Sequence, residues 1–439
     1  MPRIVLVGAG SVEFTRNLLG DILTSAALRD SEIALHDIDP ERLATAEQMA
    51  RWTASALGAS PTISAHLDRR EALRGADFVV NTIQVGGARA TQVDFDVPAR
   101  FGLRYTIADT IGVGGVFRGL RTIPVVLGIA RDMEEICPDA WLLNYTNPLA
   151  ILVRAVSEAT SVRVVGLCHS VFWTVDRLAG YLGLPRDEID ASTAGLNHLA
   201  FVLRFEHRGR DLYPELREFV AAGRAPDDDL VRAALFERFG FYPTESSEHH
   251  AEYNPWFIGK EDGAGDAVER FHIPIGEYLD RVARHLEEYA ETRRMLEAGQ
   301  AFEIERSGEY AATIAEAMTT GVPARIVVNA INHGALIPNL DPGACVEVPG
   351  LVDGLGVQPV AMGPLPLHLA AYVRAAVDMQ ALTVRAALDR DRSAVGHAVM
   401  TDPIVQSRLT LADAWRLTDE MIEAEAEWLP AWLGGTAAG

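Results

Sequence analysis

The chain has 439 residues, 49% of them apolar, enough for two domains or one large body with a generous core. Its 39 Lys and Arg against 61 Asp and Glu leave a formal charge of −22, which argues against nucleic acid or an anionic membrane as partner. An anionic substrate would need a local basic pocket.

"RIVLVGAGS", from residue 3, reads as a buried strand running into a glycine turn. No basic segment followed by an apolar one opens the chain, and no run of about 18 apolar residues suggests a membrane span, so a cytoplasmic protein is expected. "EFTRNLLGDIL" then has helical spacing, and "EIALHDIDPERL" is a second strand followed by a helix start. Further apolar runs lie at 77–83, 140–147 and 162–167, separated by helical stretches such as "FRGLRTIPVVLGIARDMEEI". The alternation predicts an α/β fold: a doubly wound, mostly parallel Rossmann-type sheet over residues 1–190. Residues 191–439 read as a following α+β domain for substrate, metal and oligomer contacts. There "HLAFVLRFEHRGRDLY" predicts a hairpin turning near Gly209, and residues 266–299 and 365–430 read as mainly helical. "ARIVVNAINHGALIPNL" and "CVEVPGLVDGLGVQP" suggest a small sheet. Cys137, Cys168 and Cys345 are odd in number and widely spaced, unlike a disulfide framework.

The turn Gly8-Ala9-Gly10-Ser11 follows a strand and precedes a helix, the context of a pyrophosphate site. Asp37 ends the second strand, where a carboxylate holds the ribose hydroxyls of NAD rather than NADP. Glu13 stands where the usual fingerprint has its third glycine, and Asp39 reads as an N-cap before Pro40. Gly112, Gly114 and Gly115 fall in a segment, "YTIADTIGVGGVFRGLRTIP", that reads as a connector or as backbone approaching a ligand; it carries Asp109. Asn144 and Asn147 lie at a strand end on the ligand side, where Asn147 suits either a helix cap or a sugar hydroxyl. "GLCHSV" and "GLNHLAF" place Cys168–His169 and Asn197–His198 at two further strand ends. A thiolate with an imidazole suits a borderline divalent metal, but a small core cysteine and a satisfied histidine fit the spacing equally well. "YPTESSEHHAEYNPWF" (242–257) gathers glutamates, histidines and aromatics of the kind that meet a sugar. Tyr253 within it could be a general base only if a nearby cation lowers its pKa from about 10.

Taken together, "GAGS", "DIDPERL", "ADTIGVGGVFRGLRTIP", "LNYTNPLAI", "VGLCHSV", "GLNHLAF", "TESSEHHAEYNPWF" and "WLPAWL" resemble glycoside hydrolase family four, the NAD- and manganese-dependent glycosidases. The match runs from residue 4 to 432 and looks most like the α-galactosidase branch. The resemblance implies Cys168 and His198 as metal ligands, Tyr253 as base, and Asp109 as the acid that makes that base effective. It also implies Asn147 and Asn197 at the substrate, and a homodimer or homotetramer as the assembly. His169 replaces the aspartate proton donor of the phospho-glucosidase branch, which points to a sugar without a 6-phosphate and to His169 as the acid. The implied route is oxidation at C3, loss of the C2 proton, departure of the leaving group, water addition and re-reduction, one of the exceptions to paired-carboxylate hydrolysis. An α-glucuronidase, α-galacturonidase or α-glucosidase is the alternative within the family. Outside it stand a plain NAD-dependent dehydrogenase, which would need neither Cys168 nor the 242–257 cluster, and a non-catalytic NAD-binding sensor.

Overall fold

The structure, a computed structural model, describes residues 1–259, 261–262, 265–300, 304 and 306–436. Six strands of the first half, β1 (Arg3–Val7), β2 (Glu32–His36), β3 (Thr62–His66), β4 (Phe78–Asn81), β5 (Trp141–Asn144) and β6 (Arg163–Gly166), pair in the order β6-β5-β4-β1-β2-β3. Every neighbouring pair is parallel. Chain order reverses between β1 and β4, so the ligand crevice is expected over the carboxyl ends of these two strands. The central strands are covered on both faces, which is why they read as continuous apolar runs. β3, "TISAH", lies at the sheet edge and is only half-buried. With no apolar run to mark it, sequence periodicity passes over it.

In the second half, β7 (Ile189–Leu196) and β8 (Leu199–His207) form a hairpin whose two turn residues are Asn197 and His198. The further hairpin expected near Gly209 is also present, closed by a two-residue strand at Arg210–Asp211. The strand Ala324–Ile331 pairs antiparallel with β6 at Asn329 and Gly166, and with the strand Cys345–Asp353 along its length. That second strand meets β7 where Glu347 faces Gly195. The small sheet expected for these segments is part of a larger one: they extend the sheet of the first half into the hairpin β7–β8. An uncovered edge at β6 would leave backbone groups unpaired, and this strand satisfies them. One hydrophobic cluster runs from Ile4 to Leu433 across both halves.

The helix Gly112–Ile136 is apolar and long enough to cross a bilayer, contrary to the expectation from the sequence, but 83% of its most apolar window is buried in the protein. It packs on the helices Leu149–Ala159 and Leu367–Asp389 as a core element. The predicted helix over 266–299 forms as Glu277–Glu297, largely exposed, and leans on the helices Val12–Thr24 and Pro40–Leu57. The C-terminal helical expectation is met by four helices between Leu367 and Ala424.

Candidate active site

A cavity of about 1170 Å³ runs along the carboxyl ends of the parallel strands, larger than the roughly 300–1,000 Å³ of most ligand pockets. At one end it is lined by Gly8, Gly10, Ser11 and Asp37. Gly8 has left-handed backbone (φ 86°), and a Cβ there would stand 2.9 Å from the Ile83 nitrogen. A Cβ on Gly10 would stand 2.6 Å from an Asp37 oxygen. Both glycines thus allow the turn to lie against its neighbours. The Gly10 N–H donates to Asp37 Oδ2 at 2.8 Å, and the Asp39 N–H donates to Asp37 Oδ1 at 2.9 Å. The carboxylate is fixed at the end of β2 with lone pairs left for two hydroxyls. Asp39 caps the next helix through the Glu41 and Arg42 amides, and Arg42 closes the turn by donating to the Gly10 carbonyl at 3.1 Å. Ser11 is the N-cap of Val12–Thr24 without using its side chain, which leaves the first-turn amides and the helix dipole facing the cavity. Strand, turn, helix end and acid form a cradle that fits a dinucleotide.

Away from this turn, five segments meet in the same cavity. Asp109 accepts from the Thr110 hydroxyl (2.6 Å) and from Asn147 Nδ2 (2.9 Å). Thr110 in turn contacts His198 Nδ1 at 2.9 Å, and His198 Nε2 lies 3.2 Å from Cys168 Sγ. Glu245 comes within 3.9 Å of His198 and 3.3 Å of His249. The ligand atoms of Cys168, His198 and Glu245 all lie within 4.8 Å of one another, as do those of Asp109, His198 and His249. Burial opposes a charge on His198, yet Cys168, Glu245 and Asp109 prevail and lift its pKa to about 10. Burial also raises the cost of charge on Glu245, but His198 and His249 hold its pKa below the usual range. His249 is pushed well below its ordinary value, chiefly by burial. The cluster has more negative than positive charge to satisfy, and a thiol, an imidazole and a carboxylate are a donor set that a borderline divalent cation accepts. His198 and Glu245 have left-handed backbone (φ 61° and 68°), a conformation that costs an L-residue about 1–2 kcal/mol and gathers at functional sites.

His169 is the N-cap of the helix Ser170–Tyr181 and lines the cavity. Its Nε2 is 3.1 Å from the buried Glu309 carboxylate, close enough for an ion pair although not aligned as a hydrogen bond. Burial disfavours the imidazolium, but Glu309 outweighs it and the His169 pKa is raised. Asp21 fixes this partner by accepting from the Glu309 amide at 2.6 Å and the Ser307 hydroxyl at 2.7 Å.

Two readings of the sequence are corrected, for Asn197 and for the glycines after Asp109, and Tyr253 is found outside the cavity lining. Asn197 does not face the cavity: it is fully buried, and its side chain donates to Glu347 at 3.4 Å, because the hairpin turn directs it under the sheet. Tyr253 is not in the cavity wall either. It ends the short helix Ser247–Glu252, and its buried hydroxyl has no hydrogen bond of good geometry, although Thr110 is close enough to counter slightly the rise in its pKa. Burial, then Glu252, Asp109 and Glu245, push that pKa well above the ordinary tyrosine value. Gly112, Gly114 and Gly115 belong to the first turn of the helix Gly112–Ile136 and serve packing rather than a ligand: a Cβ on Gly114 would stand 2.3 Å from the Ala108 carbonyl oxygen. The segment they support is held from the other side by Glu252, which accepts from the amides of Thr106, Ile107 and Ala108. Glu245, His249 and Glu309 were missed as individuals. The first two lie in the cluster that composition flagged, whereas nothing near Glu309 marks it.

Residues 3–184 match the sequence profile described as Family 4 glycosyl hydrolase, and residues 193–405 match that of the Family 4 glycosyl hydrolase C-terminal domain. An alpha-galactosidase of Bacillus subtilis (strain 168) is 42% identical over 98% of this chain and 99% of its own length. The chain belongs to family 4 of the glycosyl hydrolases. A second family member, the alpha-galactosidase of Rhizobium meliloti (strain 1021), is 36% identical over 98% of this chain and 89% of its own. A 6-phospho-alpha-glucosidase from gut microorganisms, solved in complex with NAD and Mn2+, superposes with a TM-score of 0.83 over 98% of this chain and 99% of that one. At 21% identity that likeness is one of fold.

Proposed function

We propose that this family 4 enzyme is an NAD- and manganese-dependent α-galactosidase acting on non-phosphorylated α-galactosides. One observation carries the reading: the glycine turn with Asp37 and the Cys168–His198–Glu245 cluster open into the same cavity, in a chain resembling alpha-galactosidases along its length. Asp37 and the turn Gly8–Ser11 would hold the dinucleotide, and Cys168, His198 and Glu245 the metal. When bound, NAD would supply a hydride acceptor for C3 of the sugar, and the metal a positive charge beside the oxygens at C2 and C3. Asn147, locked by Asp109, offers its amide to a sugar hydroxyl. His169, whose pKa Glu309 raises against the effect of burial, lines the cavity where it could give a proton to the departing oxygen. Tyr253 is retained as the base at C2 although it does not itself line the cavity, because its buried hydroxyl lacks a hydrogen bond of good geometry and feels the charges of Asp109 and Glu245 from the cluster that does. Its raised pKa makes the base dependent on a cation at the cluster.

The uncharged sugar rests on the likeness to alpha-galactosidases along the whole chain. Three cavity arginines are already paired: Arg177 faces Asp228 at 2.9 Å, Arg281 faces Glu277 at 3.4 Å, and Arg232 is held by Asp229, so an anionic group that met one of these would have to displace its carboxylate. A fourth, Arg118, donates to the Asn147 carbonyl and the Tyr278 hydroxyl instead.

The test is hydrolysis of an α-galactoside in heavy water with NAD and manganese. Deuterium at C2 of the released galactose, with Tyr253→Phe losing turnover far more than binding, is the expected result. Galactose without deuterium, together with no slowing of substrate deuterated at C2 or C3, would rule out this route.

A further inference from the structure

The helix Ser170–Tyr181 begins at His169, and the Trp173 amide donates to the His169 carbonyl at 3.0 Å as its first turn closes. At steps of four residues, His169, Trp173 and Arg177 follow one another along one helix face, and all three line the cavity. Each step advances about 6 Å, close to the span of a pyranose ring. Trp173 is 58% exposed, in contrast to the buried apolar residues around it, and its ring is braced edge-on by Phe172 at 5.2 Å. Beyond it, Arg177 Nη2 and Asp228 Oδ2 pair at 2.9 Å, with side chains 39% and 58% exposed, so both groups keep hydrogen-bonding capacity toward solvent.

Single exposed aromatics are common on protein surfaces and ordinarily mean nothing. This indole differs in its place, on a cavity wall between the histidine that would protonate a leaving oxygen and a paired guanidinium and carboxylate. We propose that Trp173 is the platform, and Arg177 with Asp228 the hydrogen-bonding rim, of the subsite that holds the leaving sugar ring. The inference rests on the glycosidase reading above and assigns residues of this chain to its leaving-group side. A ring attached to an oxygen that departs beside His169 would find Trp173 one helical turn further along the same cavity wall. The apolar face of a pyranose covers an indole with release of water, and the donors of Arg177 and acceptors of Asp228 match neighbouring hydroxyls that both give and take hydrogen bonds. A charged leaving group would again compete with the ion pair.

The experiment compares kcat/KM for a galactosyl-glucose disaccharide with that for methyl α-galactoside, whose leaving group has no ring. In the enzyme with NAD and manganese, Trp173→Ala should lower the disaccharide-to-methyl ratio by about tenfold. Trp173→Phe, which retains an aromatic face, should recover most of the ratio, and Arg177→Ala should lower it less. A ratio unchanged by Trp173→Ala would overturn the subsite while leaving the galactosidase reading intact. Wild-type enzyme that cleaves neither compound would overturn the galactosidase reading, and the subsite with it.

Discussion

At the dinucleotide end of the cavity, Gly8, Gly10, Ser11, Asp37 and Arg42 all come from one strand–turn–helix–strand unit and the start of the helix after it. At the metal end, Asp109, Asn147, Cys168, His198 and Glu245 come from five separate segments joined only by the fold. The left-handed positions follow the same division. The dinucleotide turn puts glycine at φ 86°, whereas the metal end puts Ala108, His198 and Glu245 at φ 55°, 61° and 68°. A glycine adopts that backbone without steric cost, and the other three do not. One end is therefore a local structure that its own sequence stabilises. The other is strained, and is held by bonds from distant elements, such as Glu252 on the amides of residues 106–108.

Loss of Cys168 from the distributed end should separate the two ends most clearly. Cys168→Ser should weaken manganese affinity by about 100-fold or more and lower turnover in proportion, because a hydroxyl is not a thiolate at neutral pH. NAD binding, followed by calorimetry, should change little. Equal losses of both ligands would mean that the two ends are not separable. Asp37→Ala is the converse experiment. Losing a carboxylate that grips two hydroxyls should raise the NAD concentration required by about 10- to 100-fold, with manganese affinity preserved. An unchanged NAD requirement would remove Asp37 from the cofactor site. The smallest effect tests the strain itself. An Ala-to-Gly change in ordinary helix costs about 0.5–1 kcal/mol, but at Ala108 relief of the left-handed backbone should offset it. Ala108→Gly should leave Tm where it is or raise it slightly, and a clear fall would show that Ala108 carries no strain.

Residue spacing by itself determined the parallel sheet, the glycine turn with its acid, and the strand ends at Cys168 and His198, because each depends on residues near one another in the chain. An apolar strand buried on both faces, and a turn needing glycine, leave their mark within a few residues. Family resemblance added the roles that spacing left open. Whatever depends on direction across the fold was settled by packing alone. It turned Asn197 beneath the sheet toward Glu347, drew Glu245 to His198, and set Glu309 behind His169. It also merged the second half's strands into the first half's sheet, since Ala324–Ile331 finds its partner in β6, where Asn329 meets Gly166 from far earlier in the sequence. A strand's pattern records that one face will be covered, but not by which partner. A buried carboxylate's sequence neighbours likewise give no sign of the charge it will meet, because that charge arrives from a segment whose position is set by packing alone.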